Sequence, residues 1–589
     1  MKYLVLILIL QACALEGSKD QTHSILYYTH KRIFTGETGK FHTALGVKGE
    51  RIFFIGDKRD IPKGAKIKKL KGELLLPSFV DSHIHIIDLA RRGKSKCLLS
   101  DNITSKKVLR IEIKTCLAKN SYLNTLVIDN WRPAKFPLHE THREFLDSLT
   151  TKKNIIMRSS DGFHFAANTP VLEVVLNKNI KKDELQRSFE SRNNKLTGYF
   201  NDHGLQYLTT FYSELFPKPS TEDLYEIIGK LNSFGITSIL EAYVDFSQVD
   251  LFKKLAKRSK NKIDINLAIH PYISKKNEIP SMLEKLVRLR SELKKLSGID
   301  FNTIKLILDG GLEGNPYQKP PRLPSASVLK PYKPASINVE AGQEIISYKH
   351  TNQHSHSRGI PYWKQSTLNE FVKVLDEARF ITHTHTIGDG SLRQIRKAIE
   401  FSKNQVKGHT IAHMQYSNIK DVERLGAMGT SAVFTPLWLN RDLAYDKKVI
   451  PFIKKVDSLN RIYSDKNLNE KFYPISDFRK NGGTVLIGSD SPFDYPTPDP
   501  FLNISSALKS SQGDKPAFDI HQIIKAITSK VPSLSGQKNR SLEVGATADF
   551  IVLNQDLFRL SEKNLFKEIE KTKVLKTFFH GEEVYSLVD

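Results

Sequence analysis

The sequence contains little sulfur and little tryptophan, which limits the kinds of site that it can build. It has three cysteines, five methionines and three tryptophans in 589 residues. Cys13, Cys97 and Cys116 do not have the spacing of a metal-ligand cluster, so cysteine is not expected to hold a metal. An oxidising compartment would permit Cys97 and Cys116 to pair, but we expect them to be ordinary buried thiols.

The chain also lacks a long hydrophobic run that could cross a membrane. Its most apolar stretch, Tyr3 to Leu10, follows Met1-Lys2 and is too short to be a permanent span. This pattern is typical of an export signal, predicted over residues 1–20. Leu10-Gln11-Ala12-Cys13 resembles a bacterial lipobox, which predicts an exported protein, membrane-anchored through a lipid on Cys13 or periplasmic. An ordinary cleaved signal peptide and a cytoplasmic start are the alternatives.

A third absence concerns nucleic-acid binding. The net charge is +25, from 89 Lys and Arg against 64 Asp and Glu. The basic residues are spread along the chain, however, without a dense block or interleaved aromatics. We therefore expect no nucleic-acid partner, although the charge would favour acidic surfaces or anionic substrates. With 39% hydrophobic and 26% charged residues, most of the chain should be folded and soluble.

Short β-like runs occupy both ends of the chain, whereas the middle alternates apolar strands with helical stretches. The two ends are predicted to form one small β-sandwich, and a Pro-, Ser- and Tyr-rich loop is long enough to be a lid. The predicted segments are the signal 1–20, the first sandwich part 21–76, the first barrel strand 77–97, an inserted domain 98–230, the remainder of the barrel 231–535 with the long loop 310–365, and the second sandwich part 536–589.

Eight apolar strand candidates in the middle predict the α/β fold class, specifically a (β/α)₈ TIM-like barrel. Two further apolar runs, around residues 126–128 and 155–157, are assigned to the inserted domain. The eight candidates are Ser78–His85, Ile236–Ala242, Ile265–His270, Ile304–Asp309, Phe380–His385, Thr410–His413, Ala432–Thr435 and Thr484–Asp490.

Polar side chains stand at the carboxyl ends of these strands, where barrel enzymes carry their reactive groups. His83 and His85 point to the same side of the first strand because side chains alternate. Imidazoles together with a carboxylate are ligands that suit Zn²⁺ or a similar ion. The series therefore predicts a metal site built from His83, His85, Lys305, His385, His413 and Asp490.

These motifs in this order resemble the amidohydrolase superfamily. Within it they are similar to the YtcJ-like branch (amidohydrolase family 3), which includes N-substituted formamide deformylase. The resemblance covers nearly everything after the signal. It rests on Pro-Ser-Phe-Val-Asp-Ser-His-Ile-His (77–85), the segment 304–310, His-Thr-Ile-Gly-Asp (385–389), Ala-His-Met-Gln (412–415), Gly-Ser-Asp-Ser-Pro (488–492) and the closing segment 542–553.

The resemblance implies a role for each ligand. His83, His85 and Asp490 would bind the more buried metal, and His385 and His413 would bind a second, so that the site holds one or two Zn²⁺ ions. Asp490 would also be the catalytic residue, taking a proton from the attacking water and delivering it to the leaving amine.

Other residues near the site are expected to support it. Lys305 would bridge two metals as a carboxylated lysine, or else lie as an ion-paired amine beside a single metal. His383 and Asp389 are expected to orient the ligands or their loop rather than to bind metal. The histidines of residues 350–356 could form another metal site, but a solvated loop is the simpler interpretation.

The inserted domain departs from the branch pattern. The branch presents Asp-Gly-His over the site, whereas this chain has Asp161-Gly162-Phe163-His164, so Phe163 and His164 are the predicted substrate contacts. Ala412 stands where the branch usually has Glu. These departures remove no metal ligand, but they indicate a substrate unlike those of familiar members.

The resemblance and the strand-end residues together predict a metal-dependent hydrolase. It would cleave a non-peptide, amide-type C–N bond of a small molecule by metal-activated water. A catalytically degenerate surface binding protein is the alternative from another class, and the complete ligand set argues against it. Hydrolysis of cyclic amides or esters is the alternative within the same fold. A homodimer is expected from the resemblance.

Overall fold

The structure is a computed structural model that describes residues 25–587, apart from the gaps given at the end of this paragraph. No helix in this part of the chain is long and apolar enough to cross a membrane. Cys13, the signal segment and the histidines of residues 350–356 lie outside the described residues, so the predictions about them stay predictions. The gaps are residues 38, 95–96, 139, 178–179, 213–214, 217, 259–261, 319–320, 333–334, 341–342, 349–356, 404, 440–444, 447–448, 451–471, 510, 513–514 and 529–540.

The chain begins with strands that pack around a buried apolar face. Tyr28 and Leu45 lie on this face together with Leu75, as expected for strands with one face on a core. The strands are β1 (Leu26–Phe34), β2 (Phe41–Lys48), β3 (Arg51–Gly56), β4 (Lys66–Lys69) and β5 (Leu74–Pro77), with a short 3₁₀ helix at Lys58–Asp60.

The first barrel strand and its helix come next, and then the inserted domain. Its sheet has the order β7-β8-β9-β10-β12-β11, parallel across the first three strands and antiparallel across the rest. The elements are β6 (Phe79–Ile84), α1 (Ile86–Lys94), β7 (Cys97–Leu98), α2 (Lys106–Lys119), β8 (Thr125–Trp131), α3 (His142–Asp147), β9 (Asn154–Ser159), β10 (His164–Ala167), α4 (Thr169–Leu176), α5 (Lys182–Ser188), β11 (Phe189–Arg192), β12 (Lys195–Asn201) and α6 (Asp202–Phe211).

A disulfide joins Cys97 on β7 to Cys116 on α2, so the prediction of two free buried thiols was wrong. The two Cα atoms lie 5.4 Å apart, inside the range that a disulfide requires. Strand β7 pairs with β8 across the sheet, and α2 connects these two strands. The proximity therefore comes from a crossover connection, which a spacing of 19 residues does not reveal.

The chain then returns to the barrel and completes it with seven more strands. Helices alternate with the strands, which is the pattern of a (β/α)₈ unit. The elements are α7 (Thr221–Ser233), β13 (Ile236–Val244), α8 (Val249–Lys257), β14 (Asp264–Ile269), α9 (Ile279–Leu293), β15 (Ile299–Ile307), β16 (Ala335–Glu340), β17 (Gln343–Tyr348), α10 (Gln365–Glu377), β18 (Ile381–Thr386), α11 (Asp389–Ser402), β19 (Thr410–His413), α12 (Ile419–Ala427), β20 (Ser431–Phe434), α13 (Ile475–Lys480), β21 (Thr484–Ile487), α14 (Pro500–Lys509), β22 (Ser511–Gln512), β23 (Lys515–Pro516) and α15 (Ile520–Thr528).

The eight barrel strands pair in the order β6-β13-β14-β15-β18-β19-β20-β21, and every neighbouring pair is parallel. These are the eight strands predicted from the sequence, so the TIM-like barrel is confirmed. Its interior is filled by small and medium apolar side chains, one from each of five strands, as in a packed barrel core. They are Val80, Leu240, Ala268, Val433 and Leu486.

The segment between β15 and α10 was predicted as a long loop, but it contains the antiparallel ribbon β16–β17. Its described ends pack against the carboxyl side of the barrel. The N–H of Ser327 donates to Asp309 at 2.8 Å, and the N–H of Tyr362 donates to the carbonyl of Leu308 at 2.9 Å. The segment is thus fixed at both ends beside the strand that carries Lys305.

The last strands return to the sheet of the first five. Together they form one eight-stranded sheet in the order β26-β25-β24-β5-β1-β2-β3, with β4 beside β1. Both ends of the chain therefore build one β unit. Phe550 and Phe578 stack at 4.3 Å in its core. The remaining elements are β24 (Phe550–Leu553), α16 (Leu565–Glu570), β25 (Val574–Phe579) and β26 (Glu582–Ser586).

Candidate metal centre

Six predicted residues meet at the carboxyl end of the barrel. They occupy the first, fourth, fifth, sixth and eighth strands of the barrel or the ends of these strands, and each is at most 7% exposed. All six line one cavity between the barrel and the inserted domain, whose empty space is about 1050 Å³ when the open solvent at its mouth is included. They are His83 in β6, His85 directly after β6, Lys305 in β15, His385 in β18, His413 at the end of β19 and Asp490 shortly after β21.

His83, His85 and Asp490 form the tightest group of these residues. Oδ1 of Asp490 lies 3.2 Å from Nε2 of His83 and 3.1 Å from Nε2 of His85. One ligand atom from each residue lies within 4.8 Å of the other two. His413 extends the group, since its ring centroid is 4.9 Å from that of His83 and 4.7 Å from that of His385.

Several ligand atoms of this group have no hydrogen-bond partner among the described residues. They are Nε2 of His83, Nε2 of His385, Nδ1 of His413 and Oδ1 of Asp490. Buried polar atoms are normally satisfied, so a cluster of exceptions calls for an explanation. Burial lowers the pKa of His385 to about 3 and holds the pKa values of His83 and His413 well below the ordinary value. Neutral imidazoles and a carboxylate are the donor set of a divalent metal site, so the residues present fit a Zn²⁺-type ion.

Lys305 is a buried amine among these ligands. Burial lowers its pKa to about 8, against the opposing effect of the negative charges of Asp490 and Glu241. Glu241 is itself fully buried on β13, and one of its oxygens accepts the N–H of Ile86 at 2.5 Å. It therefore also fixes the backbone next to His85.

The backbone is strained at two of the candidate ligands. His413 has φ of 73° and Asp490 has φ of 52°, and neither is glycine. Positive φ is unfavourable for such residues and is often found at functional sites. At Asp490 the conformation is held by its N–H, which donates to the carbonyl of His83 at 2.7 Å. This strained conformation places Asp490, which follows the last barrel strand, against the first barrel strand.

Asp81 and His383 support the first strand. Oδ1 of Asp81 accepts the N–H groups of His83 at 3.1 Å and of Ser489 at 2.9 Å, so it joins the segments of His83 and Asp490. Nε2 of His383 is 2.9 Å from Nδ1 of His83. A hydrogen bond there leaves Nε2 of His83 to face Asp490, which is how outer residues orient metal ligands. The sequence predicted this supporting position for His383 but missed Asp81.

Asp309 was also missed, although it is the most connected carboxylate of the site. It is fully buried at the end of β15 and accepts four hydrogen bonds. Its donors belong to the long segment after β15, to the turn after His385 and to the first turn of α11. The predicted supporting residue Asp389 has a related role, since its Oδ1 accepts the N–H of Leu329 in the long segment at 2.8 Å.

The two predicted substrate contacts occupy different places. Phe163 lines the cavity, and its ring centroid is 5.4 Å from that of His385. His164 is buried, with Nδ1 3.0 Å from Oδ2 of Asp161 and Nε2 3.1 Å from the carbonyl of Glu313. Both of its ring nitrogens are thus engaged by protein, so Phe163 rather than His164 faces the cavity.

Two aromatic residues near the ligands were also not anticipated. The ring of Phe493 lies 5.0 Å from that of His85, and the ring of Trp438 stacks on His413 at 4.8 Å. Phe493 also covers Gly162, where a Cβ would lie 2.5 Å from its ring. Only glycine fits there, at φ of 78°.

A second acid–histidine group lies at the opposite end of the barrel strands. It consists of Asp264, Asp549 and His580, which join β14 to the terminal sheet. The carboxylate of Asp549 already accepts the N–H of His580 at 2.7 Å and the hydroxyl of Thr547 at 2.8 Å. The group is therefore explained by protein contacts.

Comparisons with known proteins agree with this geometry. The sequence model of the family described as "Amidohydrolase family" matches residues 69–585. YtcJ of Bacillus subtilis, named as an amidohydrolase, is 23% identical over 557 residues, with 90% of this chain and 92% of YtcJ covered. LONG AFTER FAR-RED 3 of Arabidopsis thaliana is 19% identical over 593 residues, with 95% and 91% covered.

Solved structures share the fold along almost the whole chain. An uncharacterized metal-dependent hydrolase from Pyrococcus horikoshii superposes with a TM-score of 0.64 at 18% identity, covering 92% of this chain and 99% of that one. A second, from Pyrococcus furiosus, gives 0.61 at 17% identity, covering 90% and 99%. At these identities the likeness shows the fold, and it confirms a barrel with additional domains.

Proposed function

Because the chain belongs to the amidohydrolase family, we propose that it hydrolyses a non-peptide, amide-type C–N bond with Asp490 as the proton shuttle. The observation that carries this proposal is the position of the Asp490 carboxylate. Its Oδ1 lies against the imidazoles of His83 and His85, in the cavity that the metal-centre residues line together with the inserted domain.

The metal would be held by the buried imidazoles and the carboxylate that meet at the carboxyl end of the barrel. His83, His85 and Asp490 would hold one ion, and His385 and His413 would hold a second. A divalent ion such as Zn²⁺ lowers the pKa of water and polarises a carbonyl group when it is bound in a site of this kind.

Lys305 would lie between the two positions. Its pKa of about 8 makes a neutral, nucleophilic amine accessible near neutral pH. Such an amine can react with carbon dioxide to give a carbamate, which is an anionic metal ligand. An ammonium group has no lone pair and cannot bind a metal. The alternative is an ammonium group paired with Asp490 beside a single ion. The carbamate adds 44 Da to Lys305, so native mass spectrometry of the metal-loaded protein distinguishes the two.

Asp490 is suited to accept a proton. Burial raises its pKa, but the hydrogen bond from His85 and the electrostatic interaction with His413 outweigh burial, so its pKa lies below the ordinary value. It is therefore ionised at neutral pH. A carboxylate in this state can take the proton of the attacking water and return it to the leaving nitrogen. Phe163 and Phe493 lie beside His385 and His85 and help to exclude bulk water from this step.

The test combines metal analysis with turnover. Purified protein is stripped with a chelator and reloaded with Zn²⁺. Its hydrolytic rate is then measured as amine formation from N-formyl, N-acyl and cyclic amides and as alcohol formation from matched esters. We expect activity only after reloading and a preference for the linear amides. Equal activity before and after reloading, or a preference for the esters, would contradict the proposal.

Asp490→Asn tests the proton shuttle. General acid–base catalysis contributes about 10²- to 10⁴-fold, so we expect a loss of that order in kcat. Asp250→Asn is the control, since the Asp250 side chain is 81% exposed on α8. Similar kcat values for Asp490→Asn and the wild type would refute the role of Asp490.

We also propose that the protein is exported and anchored through a lipid on Cys13. The disulfide between Cys97 and Cys116 supports export, because disulfides persist in oxidising compartments. Labelled palmitate should enter the wild type but not Cys13→Ser. Equal labelling of both would exclude lipidation at Cys13.

A further inference from the structure

The cavity at the metal centre extends into a chamber formed by the inserted domain. Besides the six metal-centre residues and several charged and polar side chains, its lining includes apolar side chains of the inserted domain. These come from β8, β9, β10, α6 and the segment after α6. We call this part the side chamber, and its apolar residues are Val127, Ile156, Phe165, Leu205 and Phe216.

The cations around the side chamber are already paired. Arg158 donates from Nε to Asp129 at 2.5 Å and from Nη1 to Asp88 at 2.7 Å. Nη1 of Arg91 lies 3.5 Å from the same carboxylate of Asp88. The third cation among the described lining residues, Lys305, belongs to the metal centre. A substrate carboxylate would therefore meet aspartates rather than an available cation, in a place where an unpaired charge is costly.

Among the described lining side chains that the inserted domain contributes, two polar atoms have no hydrogen-bond partner. They are Nε2 of Gln206 and Oδ2 of Asp129, and these residues are 5% and 0% exposed. Both residues line the cavity. One is a donor and the other an acceptor, so they match a neutral group that both donates and accepts, such as an amide or a hydroxyl.

Resting on the proposed function, we propose that the side chamber binds an uncharged, mainly apolar substituent of the amide substrate. The substituent lies on the acyl or the amine side of the scissile bond, and Gln206 and Asp129 accommodate one neutral polar group within it.

Two matched substrate series test this proposal and separate the two sides of the bond. The first keeps one leaving amine and varies the acyl group through acetyl, butanoyl and hexanoyl. The second keeps an acetyl group and lengthens the amine. In one of the series kcat/KM should rise about fourfold per buried methylene, which is the factor given by transfer of a methylene from water.

Charge is tested on the same arm. Arms ending in a carboxylate or an ammonium group are compared with the neutral arm of equal length, and we expect each to lower kcat/KM at least tenfold. A charged arm that matches or exceeds the neutral one would overturn the proposal. So would a kcat/KM that does not change with arm length in either series.

A variant whose side chamber is filled by a larger side chain tests the proposal from the protein side. Leu205→Trp on α6 should reduce the ratio of kcat/KM between the longest and shortest substrates at least tenfold. Phe211→Trp is the matched control, because Phe211 lies on the same helix, is 49% exposed and does not line the cavity. It should keep the wild-type ratio. Circular dichroism of both variants identifies a failure to fold.

Calorimetric binding of both series to Asp490→Asn separates this inference from the proposed function. Affinity that rises with arm length, in a protein whose wild type hydrolyses none of the amides, would support the chamber and refute amide hydrolysis. Hydrolysis without any dependence on arm length, in kinetics or in binding, would refute the chamber alone.

Discussion

Replacing Asp309 should lower stability and metal retention together. This carboxylate is fully buried. Its Oδ1 accepts the N–H of Ile387 at 3.0 Å. Its Oδ2 accepts the N–H of Ser327 at 2.8 Å, the N–H of Gly388 at 2.9 Å and the hydroxyl of Ser391 at 2.7 Å. One side chain thus connects the strand of Lys305, the turn after His385 and the long segment.

The size of the effect follows from the number of donors that lose their partner. Asp309→Ala leaves three buried backbone N–H groups unsatisfied, each at a cost of about 1–3 kcal/mol. The sum is at least about 3 kcal/mol, a large part of the 5–15 kcal/mol that is typical of folded proteins. Asp309→Asn can keep an oxygen in the Oδ2 position and turns its amide towards Ile387. It therefore loses one bond, at a cost of about 1–3 kcal/mol.

Thermal unfolding at a fixed scan rate, with metal and with chelator, measures the stability of both variants. Metal per chain, determined after dialysis, measures retention. We expect both quantities to fall in the order wild type, Asp309→Asn, Asp309→Ala, with Asp250→Ala unchanged as the exposed control. An Asp309→Ala protein that melts with the wild type and keeps its metal would refute the reasoning.

Three further predictions concern other contacts. His383→Phe removes the hydrogen bond to His83 and should weaken metal affinity about 10- to 100-fold in competition with a chromogenic chelator; unchanged affinity would exclude this role. Cys97→Ser opens a loop of 19 residues and should destabilise the inserted domain by up to about 3 kcal/mol, seen as faster proteolysis within residues 98–230 than in the wild type. Burial lowers the pKa of His580, but Asp264, Asp549 and Glu50 outweigh burial and raise it. Stability from the protonated ring is therefore full below the unfolded pKa and is lost as pH rises through the folded one, so His580→Ala should lower the melting temperature more at pH 5.5 than at pH 9, and an equal loss at both would contradict this.

The barrel and its ligand strands were predictable because their signals are local. Buried parallel strands appear as short apolar runs, and the reactive residues follow at their carboxyl ends. The strand Thr410–His413 has the predicted bounds, whereas the strand predicted at Ile304–Asp309 is Ile299–Ile307. The difference arises because Asp300 and Asn302 are polar and only partly buried, so the start of that strand lacked the apolar pattern.

The supporting residues could not be predicted in the same way. Asp81, Glu241 and Asp309 accept hydrogen bonds from backbone N–H groups, most of which belong to other segments. A backbone donor leaves no trace in the identity of its residue. The prediction for the two cysteines was wrong for a similar reason, since a crossover connection sets the distance between Cys97 and Cys116. One signal was available for Asp309, which stands at the end of a barrel strand directly before two glycines.

The metal centre combines unpaired buried ligand atoms with strained backbone, and both features cost free energy. Four buried ligand atoms have no hydrogen-bond partner in the described chain, and each such atom costs about 1–3 kcal/mol. His413 and Asp490 add strained backbone, at about 1–3 kcal/mol each. Asp81 and Asp309 hold the segments in place through backbone bonds, so the protein tolerates this arrangement without collapsing the site. Divalent ions bound to these four atoms would return much of that free energy as binding, which is why folding and metal binding should be coupled in this chain.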